Sequence, residues 1–244
     1  MGAVEGQRLL LILRELTIDV SHVGDFDRLP IPFRAVATDI ETGNAHVMGQ
    51  GDLALAIRAS MSVPAIFAPA EIDGRLLVDG GIAANLPVSV MQEMDGDIII
   101  AVDVEFPLYP AEDLTSAVKI SEQMLTILMR RETLHQIGLL SEQDILIQPD
   151  LGIFESGNFA HTSETIAPGV QAALEVTDEL AELALDEQRF AAHLARRGAP
   201  DPIDQSLAFV RVLTDGNVSA DRLESHLDVN AGDPVDTMQL ANAA

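Results

Sequence analysis

The stretch "DIIIAVDV", residues 97–104, is an apolar run bounded by acids, with no polar residue at alternate positions. A strand with one wet face alternates apolar and polar side chains, so a run this uniform expects cover on both faces. "DILIQPD" at 144–150 reads the same way, and a long helical pattern over 113–138 lies between the two. Buried strand, helix, buried strand is the signature of an α/β fold with a mixed or mostly parallel central sheet.

The rest of the chain fits that frame. Leu9 to Leu16 has the spacing of an amphipathic helix. Phe33 to Ile40 predicts a strand, and Thr42-Gly43-Asn44 predicts a hairpin turn after it. Residues 52–60 predict a short helix with Asp52 as N-cap. Asp73-Gly74, between "AEI" and "RLLVD", is a strong two-residue hairpin signal. A helix is expected to start at Pro87, a residue favoured in the first turn, and Ser163 to about Arg197 is helical again. "RRGAPDPIDQ", at 196–205, then reads as a linker leading to a separate unit.

Composition narrows the function. The formal net charge is −25, from 39 acidic and 14 basic residues, and Arg130-Arg131 and Arg196-Arg197 are isolated pairs. Phosphate backbones are bound by clusters of Lys and Arg that release counterions, so nucleic acid is excluded as a partner. The same charge opposes docking on anionic lipid. The chain has no cysteine, which removes disulfides, thiolate metal sites and a thiol nucleophile. The six histidines (22, 46, 135, 161, 193 and 226) have no metal-ligand spacing. No apolar run reaches the ~20 residues of a membrane span.

Three acids fall at strand ends, where α/β sheets bind ligands. Asp39 adjoins a turn that wants Asp for its own backbone. Asp103 ends the apolar run without a following glycine. Asp79, in "LLVDGGIAANLPV", differs because Gly80 and Gly81 remove both side chains after it. Glycines admit positive φ and close approach, and a carboxylate base needs fixed geometry with open access. Asp-Gly-Gly is also an ordinary tight turn, and spacing alone leaves both readings standing. Of the twelve serines none lies in Gly-x-Ser-x-Gly. Ser60 and Ser62 are the nearest serines on the N-terminal side of Asp79 and read as local capping or hydrogen-bonding residues beside Pro64.

"FDRLPIPFRAVATDIETG", "AIRASMSVPAIFAP" and "LLVDGGIAANLPV", in that order, resemble the second half of a patatin-like phospholipase domain, from about Gly2 to Arg197 and including the "AVDV" strand. The resemblance implies a three-layer sandwich and a Ser-Asp dyad that works without histidine, metal or organic cofactor. Asp79 matches the dyad base, with Gly80 and Gly81 as the turn that supports it. The nucleophile elbow and the oxyanion loop belong to the first half of such a domain, which is expected to be absent from this chain. The tail, "FVRVLTDGNVSADRLESHLDVNAGDPVDTMQLANAA", is similar to the opening of a POTRA domain, as in two-part autotransporters.

These resemblances imply residues 1–197 as the C-terminal portion of a hydrolase domain, 198–206 as a linker and 207–244 as the start of a small α+β POTRA-like unit. The implied activity is hydrolysis of lipid or phospholipid esters, with this chain inactive alone for want of its serine. The implied partners are the missing N-terminal half and the POTRA and β-barrel segments of the same parent. The implied location is the outer membrane, the cell surface or the medium, with the cytoplasm as the alternative. A non-catalytic pseudo-hydrolase or an interaction module using the same cleft is the alternative function.

Overall fold

The structure is a computed structural model that describes residues 6–64, 66–104, 107–152 and 159–197, together with Gly232. The expected linker at 198–206 and the POTRA-like stretch at 207–244 lie outside the described residues, apart from that glycine.

Helix α1 (Gln7–Leu16) leads through two short 3-10 turns to β1 (Ala35–Asp39) and β2 (Ala45–Met48). Helix α2 (Leu53–Ser60) follows, and the Asp52 carboxylate accepts the N–H of Leu55, the capping bond its position predicts. Next come β3 (Ala70–Ile72) and β4 (Arg75–Asp79). Asp73 and Gly74 both have positive φ, 51° and 73°, as a two-residue turn with the hand of the twisted strands requires.

The four strands form one sheet in the order β2-β1-β4-β3, antiparallel throughout. This corrects the expectation of a mostly parallel central sheet. Two tight hairpins account for the β1–β2 and β3–β4 pairs, because a short turn can join only antiparallel neighbours. β1 and β4, which are remote in sequence, join the two hairpins in a third antiparallel pair. The one parallel pair among the described residues is β5 (Ile100–Val102) with β6 (Ile145–Ile147), the two apolar runs of the sequence. They are connected through the long helix α5 (Ala117–Ile137).

β1 is buried along its whole length. Ala35 and Ala37 pack with Ala56 and Ala59 of α2 in a cluster that also holds Phe26, Met48 and Leu77. Alanine on both sides lets the helix sit close on the sheet. The opposite face presents Val36 to Ala84 and Val90. These two belong to α3 (Gly81–Ala84) and α4 (Val88–Gln92), so β1 has helices on both faces. Pro87 immediately precedes α4, and its carbonyl accepts from Val90 and Met91.

The β5–β6 pair is covered unevenly. Ile99 and Ala101 point inward with Leu86 and Val88, and β6 packs under Ala172, Val176 and Leu180. Ile98, Ile100, Val102 and Val104 are 36–49 % exposed. The run expected to be covered on both faces is therefore covered on one. The helical region expected from Ser163 to Arg197 resolves into α6 (Ile166–Glu175), α7 (Thr177–Glu182) and α8 (Glu187–Arg197).

Candidate active site

Asp79 is the last residue of β4, and the chain turns from it directly into α3. Its backbone is held at both polar atoms. The N–H donates to the Ser62 carbonyl at 3.0 Å, and the carbonyl accepts from Thr38 Oγ1 at 2.8 Å. Gly80 N–H donates to the Ser60 carbonyl at 3.2 Å. The segment after α2 thus docks on the strand end through two carbonyls. Arg58 holds that segment: its guanidinium donates to Ser62 Oγ and to the Ala68 carbonyl and lies 5.1 Å from the Phe67 ring centroid.

The two glycines follow from close approach, not from unusual dihedrals. Gly80 has φ −68° and ψ −19°, and neither glycine is at positive φ. A Cβ on Gly80 would lie 2.1 Å from the Val36 carbonyl oxygen, so only a residue without a side chain lets the start of α3 cross β1 there. A Cβ on Gly81 would meet Met129 of α5 at 2.6 Å and Asp79 Oδ1 at 2.9 Å. The expected role of the glycines in turning through positive φ is corrected accordingly.

Gly81 N–H donates to Asp79 Oδ1 at 2.8 Å. Burial pushes the Asp79 carboxyl above its ordinary value, and the Gly81 N–H, which favours the ionised form, only partly opposes it. The carboxylate lines a cavity of about 400 Å³ with Ile57, Ser60, Met61 and Asn85. Arg34 is the other charged residue on this wall, and two of its N–H groups are engaged by Asp27, at 2.7 and 2.9 Å. Asp79 therefore faces the cavity without an ion-pair partner among the described residues.

The other strand-end acids do different work. Asp39 accepts the N–H groups of Glu41 and Thr42 and an ion pair from Arg75 at 3.0 Å. Burial pushes its carboxyl up, but these donors outweigh the burial and hold it below the usual range. It is a turn residue. Asp103 is buried, accepts from Gln148 Nε2 at 3.0 Å and lies outside the Asp79 cavity. Of the two nearby serines, Ser62 is fully buried and donates to the Arg58 carbonyl, whereas Ser60 lines the cavity. Among the described residues no serine hydroxyl is bonded to Asp79, and no group of three or more His, Asp or Glu could hold a metal ion.

Thr38 and Arg58, which hold this site together, have no signature in the sequence. Thr38 lies in an apolar strand pattern, where a β-branched threonine is ordinary. Arg58 sits in a short helix whose partners come from a later loop. Neither carries a local signal.

Residues 11–91 match the patatin-like phospholipase family. The matched segment runs from within α1 into α4 and contains Asp79, Gly80 and Gly81. The chain is 39 % identical over 103 residues to an uncharacterized NTE family protein of Mycobacterium tuberculosis, covering 42 % of this chain and 28 % of that protein. A second NTE family protein of the same organism is 37 % identical over 87 residues, 35 % of this chain and 15 % of its own length. Patatin-like phospholipase domain-containing protein 7 of Mus musculus is 40 % identical over 76 residues, 30 % of this chain and 6 % of that protein. The chain thus spans little more than a quarter of the length of the first of these relatives.

Proposed function

We propose that this chain contributes the base half of a lipid ester hydrolase that works by a Ser-Asp dyad. The observation that carries the proposal is the Asp79 carboxylate. It is raised by burial, held by the Gly81 N–H and turned to a cavity, within the segment that matches the patatin-like phospholipase family. In the first step a serine oxygen bonds to the ester carbonyl carbon while Asp79 takes the serine proton. The tetrahedral oxyanion collapses, the carbon–oxygen bond to the alcohol breaks, and Asp79 returns the proton to the departing alcohol. Asp79 then takes a proton from water, whose oxygen attacks the acyl-serine. The second tetrahedral intermediate collapses, its bond to the serine oxygen breaks, and Asp79 gives its proton to that oxygen, releasing the acid and restoring the free serine. None of the 244 residues forms a Gly-x-Ser-x-Gly elbow, and the proposal takes the serine and the oxyanion donors from outside them. The cavity's aliphatic wall of Ile57 and Met61 suits an acyl chain. On sequence pattern alone, the proposal extends to a POTRA-like unit beginning at 207 and to a place at the bacterial outer membrane or surface.

The magnitude of the loss makes the proposal testable. Removing the nucleophile of a serine hydrolase costs on the order of 10⁶ in kcat, about 8 kcal/mol. The 244-residue chain should therefore not turn over a short-chain nitrophenyl ester. Expressed with its in-frame flanking coding sequence, it should hydrolyse the ester, and Asp79→Asn should lower kcat by on the order of 10²–10⁴. Asp79-dependent turnover by the 244 residues alone would move the nucleophile inside the chain. An unchanged rate for Asp79→Asn in the extended protein would remove Asp79 from the chemistry.

A further inference from the structure

A carboxylate base acts only along the direction in which it is held. At Asp79 that direction depends on the junction between β4 and α3, where one hydroxyl makes two bonds. Thr38 Oγ1 donates to the Asp79 carbonyl at 2.8 Å and accepts the Ala83 N–H at 3.2 Å. Thr38 is 1 % exposed and sits on β1 opposite Val78. Strand pairing does not require this hydroxyl, because the ladder uses backbone groups and a valine would fill the same space. What the hydroxyl adds is a tie between the last carbonyl of β4 and the first turn of α3.

On the reading of Asp79 as a base, we infer that Thr38 is its positioning residue. The hydroxyl fixes the β4–α3 junction so that the Gly81 N–H stays on Asp79 Oδ1 and the carboxylate stays turned to the cavity beside Ser60. Without that tie the junction can open, the carboxylate gains water, and its proton affinity falls toward that of an exposed aspartate. A displacement of about 1 Å at a reacting group is enough to cost on the order of 10² in rate.

The test is a carbon-13 NMR titration of the aspartate carboxyls in the 244-residue chain, with Asp79→Asn used to assign the Asp79 signal. In wild type and in Thr38→Ser, which keeps the hydroxyl, Asp79 should titrate above the ordinary carboxylate range. In Thr38→Val, which keeps the shape, it should move down toward that range. A folded Thr38→Val whose Asp79 curve overlies the wild-type curve overturns the inference, since a purely structural threonine would alter stability and leave the midpoint alone. If Thr38→Val does not fold, the wild type decides. Its Thr38 hydroxyl proton should exchange slowly and its shift should follow the Asp79 titration; a fast-exchanging proton or a flat shift overturns the inference. These readouts need no turnover, so they fail separately from the base reading, which rests on hydrolysis by Asp79→Asn. In the extended, active protein, Thr38→Val should lower kcat by on the order of 10² with KM little changed, and an unchanged kcat counts against positioning.

Discussion

At the scale of single residues, Gly74 and Gly80 are required for two different physical reasons that substitution can tell apart. Gly74 has φ 73° and nothing within 4 Å of a built Cβ, so its requirement is conformational. Gly80 has ordinary helical dihedrals, and its missing Cβ is replaced by the Val36 carbonyl. Gly74→Asn should therefore cost little, because asparagine tolerates the left-handed region. Gly80→Asn and Gly80→Ala should both cost on the order of 1–3 kcal/mol, because backbone must move away from backbone. Chemical denaturation of the three variants checks this, and equal losses at both positions would contradict it. Asp79 gives a second prediction, with a definite sign. Its folded carboxyl is raised, so the folded state holds the proton more tightly than the unfolded chain does. Stability contributed by Asp79 therefore falls as pH rises from below the ordinary aspartate value through the raised one. Asp79→Asn should be more stable than wild type at neutral pH and should lose that advantage at acid pH. Melting curves across that range decide it, and a variant less stable at neutral pH would show that the carboxylate is not strained by burial. Asp39 should behave oppositely, its contribution being lost as pH falls through its lowered value.

At the scale of elements, what could be read in advance was whatever is specified locally. Asp52 caps α2 and Asp73-Gly74 closes the β3–β4 hairpin because each signal lies within a few residues of its effect. Asp52→Ala should cost about 1 kcal/mol in denaturant melts, while Asp52→Ser should recover most of it. Helix α3 was not legible for the opposite reason. "GGIAAN" opens on two residues of poor helix propensity, and its first turn exists because Gly80 seats against β1 and Gly81 against Met129. The sheet direction misled in a third way. Apolar runs and interleaved helices suggested parallel strands, but β1 to β4 are two hairpins joined by the antiparallel β1–β4 pair, and among the described residues only β5 and β6 are parallel. The candidate site divides along the same line. Asp79 with its glycines stands out in the sequence. The donors and acceptors that hold it, Thr38 Oγ1 and the carbonyls of Ser60 and Ser62, come from positions 17 to 41 residues away and have no sequence signature.

At the scale of the whole molecule, two opposed terms set how the chain behaves in solution. The first is a net charge of −25, which repels copies of the chain at long range. The second is exposed apolar surface: Ile100 and Val102 on β5, and Val118, Ile120, Met124 and Leu128 on α5, are each 47–66 % exposed. Surfaces of this kind favour association once partners come within contact distance, and a short edge strand adds unpaired backbone groups to the attraction. Salt acts on only one of the two terms. The screening length falls from roughly 30 Å at about 0.01 M to roughly 3 Å at about 1 M, whereas apolar contact is not weakened. The chain should therefore sediment as a monomer at low salt and associate as salt is added, with bound hydrophobic dye visible at low salt and displaced on association. Replacing an exposed residue of β5 separates the terms. Ile100→Lys removes apolar surface from the open face and should keep the chain monomeric at high salt. Its melting temperature should change little, because Ile100 is already 49 % exposed. A wild-type chain that is monomeric and binds no dye at both salt concentrations would mean that the apolar faces of β5 and α5 are too dispersed to act as a contact surface. Association unaffected by Ile100→Lys would instead place the contact on α5, where Met124→Lys is the matching substitution.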